Sequence, residues 1–113
     1  MASKHTSFVS SSHAVKVNAE TKQETVLTAD ADGMISLSAG DELRFKHEQA
    51  GVFIALNELL VHAGAQNVRL RINGGNQYTW VIPAGESMGI SGMPIYTLTA
   101  LNACTFRYEG LTE

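Results

Sequence analysis

The sequence predicts an all-β fold: an antiparallel jelly-roll-like sandwich or barrel with an extended N-terminal arm. Three observations lead there. Apolar and polar residues alternate over short stretches, as in Val68-Arg69-Leu70-Arg71-Ile72, which is the two-residue period of a half-buried strand. Turn sequences separate these stretches, among them Asp30-Ala31-Asp32-Gly33, Asn73-Gly74-Gly75-Asn76 and Pro83-Ala84-Gly85. Roughly eight to ten such stretches fit into the chain, and the long crossovers that parallel pairing requires are missing.

Taken in order, residues 1–13 are a polar arm holding Ser3, Ser7, Ser10, Ser11 and Ser12. Such a segment buries too little apolar surface to fold alone, so it needs a support. A neighbouring protein is the expected one, with Lys4, His5, Phe8 and Val9 as contact residues; the arm's own domain is the other. Residues 14–113 form a single β-sandwich domain. Val15, Val17 and Ala19 alternate, and a Thr- and Val-rich stretch follows up to Asp30. "MISLS" and "ELRFK" flank Ala39-Gly40-Asp41, a compact hairpin connection. In the 68–72 strand Val68, Leu70 and Ile72 face inward and the two arginines outward. Tyr78, Trp80 and Ile82 share one face of the next strand, with the Trp80 indole against Ile72, Phe106 or Tyr108. Met88 and Ile90 begin a short strand that Ser91-Gly92-Met93-Pro94 ends, and "IYTLTAL" and "CTFRY" complete the set.

Residues 52–63 read two ways. Val52, Leu56, Leu59, Leu60 and Ala63 follow helical spacing, whereas Phe53, Ala55, Leu59 and Val61 follow strand spacing with a bend at Asn57-Glu58. A helix would turn Ile54 and Val61 away from its packed face, which favours buried strands.

A chain of 113 residues is one domain by length, able to bury roughly two-thirds of its unfolded surface. Net charge is −3 and the basic residues are scattered, so a nucleic-acid partner is not expected. The first residues lack the apolar core of a secretory signal, and no apolar run approaches the roughly 20 residues of a membrane span. A chain made in a cytoplasm, with no membrane partner, is the expectation. Cys104 is the sole cysteine; alternating with Phe106 and Tyr108, it reads as a buried apolar residue.

Gly85-Glu86-Ser87-Met88-Gly89 matches the G-x-S-x-G elbow of serine hydrolases. That elbow leads into a helix, yet Gly89, Gly92 and Pro94 follow Ser87. Its triad also places histidine after serine, while His5, His13, His47 and His62 all precede Ser87. No catalytic residue is therefore expected, and a small hydrolase would require Ser87 within reach of His47 or His62. His47-Glu48 point to opposite strand faces and His62 stands alone, so no metal site and no cofactor are expected. Asp30, Asp32 and Gly33 form a plain turn, since the later ligands of a calcium loop are missing. Asp41-Glu42 and Glu20/Glu24 read as solvated acids. Tyr78 and Trp80 could line a carbohydrate groove, but two aromatics on one strand face read first as core.

From Val68 to Leu111 the order is an alternating strand, I-N-G-G, an aromatic strand, I-P-A-G, G-x-P-I and a closing aromatic strand. This pattern, over about residues 34–111, resembles the small β-structured virion proteins of tailed bacteriophages, the head decoration (cement) or minor structural class. The resemblance implies a non-enzymatic capsid decoration protein located in the virion. Its partners would be the major capsid protein or another virion protein, and it would be homo-oligomeric. A carbohydrate- or ligand-binding β-sandwich module, which would need Tyr78, Trp80 or Tyr96 exposed beside polar side chains, is the alternative.

Overall fold

The computed structural model describes residues 7–9, 14–27, 29–47, 52–74 and 79–112. Among them are twelve strands and no helix. They are β1 (Ser7–Val9), β2 (Ala14–Val17), β3 (Glu24–Val26), β4 (Ile35–Leu37), β5 (Glu42–His47), β6 (Val52–Phe53) and β7 (Leu56–Ala63). β8 (Val68–Ile72), β9 (Thr79–Ile82), β10 (Ser87–Ile95), β11 (Thr97–Ala100) and β12 (Cys104–Thr112) follow. One sheet runs β1-β12-β7-β10, with β4 also paired to β12; the other runs β3-β2-β5-β11-β8-β9, with β6 paired to β5. Every pairing is antiparallel.

The strands form where apolar residues can alternate toward a common interior. Leu43 and Phe45 from β5, Leu59 and Val61 from β7, Val68, Leu70 and Ile72 from β8, and Phe106 and Tyr108 from β12 are all buried in one core. Phe45 meets Tyr108 edge to face, with ring centroids 5.6 Å apart, the arrangement the ring quadrupoles favour. Trp80 joins this core opposite Leu70 on β8. Cys104 is buried as well, and its burial raises the thiol pKa to about 11, which keeps it unreactive.

Residues 52–63 are strands. β7 buries Leu56, Leu59, Val61 and Ala63, and the consecutive exposed residues Asn57 and Glu58 are where its pairing with β10 shifts register. Two residues then face solvent in succession, which put helical spacing into a strand sequence. β2 keeps its alternation only in part: Ala14 and Val17 are buried, whereas Val15 is half-buried.

Two expectations about turns are corrected. "MISLS" and "ELRFK" are not a hairpin, because β4 pairs with β12 in one sheet and β5 with β2 and β11 in the other. The intervening residues are a corner between sheets. Asp41 holds that corner and is buried, not solvated. Its carboxylate accepts hydrogen bonds from the backbone N–H groups of Ser38 (3.0 Å) and Ala19 (3.3 Å). Burial is tolerable because those donors replace water. Likewise, β10 does not end at Gly92 but continues to Ile95, and the chain crosses to the other sheet at Tyr96. Asn73 pins this crossing: its amide donates to the Pro94 carbonyl and its Oδ1 accepts from the N–H of Tyr96.

Within the arm, Ser7–Val9 pairs with Gly110–Thr112, so this piece lies on its own domain. Phe8 and Val9 sit in that ladder; Lys4 and His5 lie outside the described residues.

Candidate functional site

Three strands of the first sheet, β12-β7-β10, turn a regular grid of side chains outward. Antiparallel register sets its rows: Arg107-His62-Ser87, then Glu109-Leu60-Gly89, then Leu111-Glu58-Ser91. The inward neighbours Val61, Leu59 and Tyr108 are buried, so alternation fixes the outward set.

A groove of about 350 Å³ runs over the second and third rows. Leu60, 36% exposed, supplies its apolar floor. The neighbouring position, Gly89, has no side chain, and this opens the notch beside Leu60. Its backbone does not have positive φ, so it is extended and its role here is space, not a turn. Glu58 and Glu109 bring two carboxylates to the lining, and Ser91 and Leu111 complete one end. Among the described residues no lysine or arginine forms an ion pair with either carboxylate.

In the first row, His62 Nδ1 lies 2.5 Å from Ser87 Oγ. On the far side of the ring, Nε2 has no hydrogen-bond partner and faces Glu109 Oε1 at 3.8 Å, beyond hydrogen-bond reach. The sequence thus placed the G-x-S-x-G serine beside one of the two histidines a hydrolase would need. Among the described residues, the other groups such a site needs are not gathered at Ser87. A serine nucleophile needs backbone donors converging where the oxyanion forms. Here the N–H of Gly85 donates to Gly64 and that of Glu86 to Pro83. Within the strand, successive N–H groups point to opposite edges and cannot converge.

Other residues singled out by sequence are dispersed. Trp80 is buried; Tyr96, 52% exposed, stands at the crossover; Tyr78 lies outside the described residues. His47 ends β5, which belongs to the other sheet from the Ser87 strand. Asp30 Oδ1 accepts from the N–H groups of Asp32 and Met34, a local turn. Among the described residues, no three His, Cys, Asp or Glu side chains are grouped to hold a metal ion.

No protein-family model matches the chain. No curated protein matches it either. Two solved structures do. One is the EutQ protein of Clostridium difficile, at 10% identity over 86% of this chain and 75% of that one, with a TM-score of 0.44. The other is a putative ethanolamine utilization protein Q from Salmonella typhimurium, at 14% identity over 98% of both chains, with a TM-score of 0.38. The expectation of a tailed-phage virion protein is corrected by this result: the matching structures are EutQ proteins and neither is a virion component. The capsid decoration role and the virion location fall with it. Scores below 0.5 likewise bring nothing of EutQ to this chain. The physical reason for the misreading is that the shared motifs are turn signals. Gly74 and Gly85 have φ of +70° and +75°, a conformation many antiparallel β proteins need at such turns, whatever their role.

Proposed function

We propose that this chain is a non-enzymatic ligand-binding module on a jelly-roll-like sandwich. Its groove over β7, β10 and β12 takes a small molecule with an apolar body and a cationic end. The supporting observation is the pairing of the Leu60 floor with Glu58 and Glu109, two carboxylates without a lysine or arginine partner among the described residues. An apolar body covers Leu60 and Leu111, and a cation placed between the carboxylates completes their charge. Trp80 is no sugar platform, since it belongs to the core, and the exposed Tyr96 stands apart from the groove lining. Ser87 serves as a cross-strand hydrogen-bonding residue to His62, a reading supported by the N–H groups of Gly85 and Glu86 being engaged elsewhere among the described residues.

Mapping backbone amide shifts while n-pentylammonium is added tests this reading. Shifts should cluster at residues 58–60, 89–91 and 109–111, and Leu60→Lys, which supplies its own cation and fills the floor, should abolish them. Shifts elsewhere, or none, would overturn it.

A further inference from the structure

We infer that β10 is a homodimerisation edge, pairing antiparallel with β10 of a second copy about a twofold axis at Gly89. β10 ends its sheet's strand order, and it is nine residues long. Long free edges invite strand addition, and natural proteins blunt them with charge, proline, bulges or brevity. The other terminal strands are short: β1 and β3 have three residues and β9 four, and β3 carries Glu24. Residues 87–95 contain no Asp, Glu, Lys or Arg, so two copies meet without like-charge repulsion.

The ladder shows which backbone groups of β10 are without a partner among the described residues. The Ala63 N–H donates to the Glu86 carbonyl, which marks that pair as hydrogen-bonded. Alternation then makes Ser87, Gly89 and Ser91 the residues whose N–H and C=O point away from β7, toward the open edge. Pro94 and the register shift between Ser91 and Ile95 close the strand beyond that point. The open window is therefore 87–91, and it is self-complementary. A twofold at Gly89 sets Ser87 opposite Ser91 of the second copy, Met88 opposite its Ile90, and Gly89 opposite itself. The free backbone groups of 87, 89 and 91 then pair with one another, as an isologous interface requires. Met88, 39% exposed, and half-buried Ile90 are covered in the same step.

Light scattering gives the solution mass. Wild type is expected at the mass of two 12.2 kDa chains. Met88→Lys, an edge charge, should give a monomer that keeps its β-sheet circular dichroism, while Val81→Lys on β9 should leave the dimer. Gly89→Cys should form a disulfide-linked dimer on mild oxidation; a Cβ there meets atoms no nearer than 3.7 Å, so the fold accepts it. Monomeric wild type, a dimer that survives Met88→Lys, or a dimer that Gly89→Cys fails to cross-link would each overturn the assignment.

Discussion

His62 and Ser87 face each other across the β7–β10 ladder, Nδ1 to Oγ at 2.5 Å, although 25 residues separate them in the chain. A serine beside a histidine is half of a nucleophilic site. The other half is a set of converging oxyanion donors, and among the described residues the N–H groups of Gly85 and Glu86 are taken by Gly64 and Pro83.

Ser87 should accordingly resist a fluorophosphonate probe at neutral pH. Ser87→Ala loses one partly exposed hydrogen bond, about 0.5–1.5 kcal/mol, and should remain folded. Stoichiometric labelling of wild type that disappears in Ser87→Ala would make this residue a nucleophile.

Trp80→Ala should destabilise the protein by about 3–5 kcal/mol, the usual range for deleting a buried aromatic. That is a large share of the roughly 5–15 kcal/mol a domain has. Tyr96→Ala, at an exposed position, should stay within about 0.5 kcal/mol of wild type. Denaturant titrations of the two variants side by side check the contrast, and equal losses would refute it.

Alkaline pH should weaken the fold through Cys104. Its folded-state pKa is raised by burial from an ordinary value of 9.0 to about 11. Across that window the unfolded chain gives up the thiol proton while the folded chain keeps it, so rising pH favours unfolding. Burial shifts Tyr108 in the same direction and adds to the loss at the alkaline end. Cys104→Ala should flatten the slope of stability against pH between about 9 and about 11 without removing the Tyr108 part. An unchanged slope would show that the thiol already meets solvent.

Much of the scaffold was legible because it is local. Alternation in 68–72 placed Val68, Leu70 and Ile72 inside, and the Asn73-Gly74 turn correctly led into a hairpin between β8 and β9. Ala39-Gly40-Asp41 was misread because a short connection does not say which sheet its second strand joins. Asp41 was read as solvated for a similar reason: its donors, Ala19 and Ser38, converge only when two sheets meet. The groove was hidden more deeply. Leu60, Gly89 and Glu109 become one row only through the registers of β7 with β10 and β12, and a glycine that supplies space looks in sequence like one that supplies a turn.

Calorimetric titration with n-pentylammonium and with n-pentanol, which share an apolar chain and differ in charge, tests the groove most directly. The ammonium ion should bind about fivefold more tightly, the equivalent of about 1 kcal/mol for a partly exposed ion pair. In a Glu58→Gln, Glu109→Gln double variant the two ligands should become equal. Equal affinities in wild type, or a preference for the ammonium ion that survives the double substitution, would contradict the proposed site.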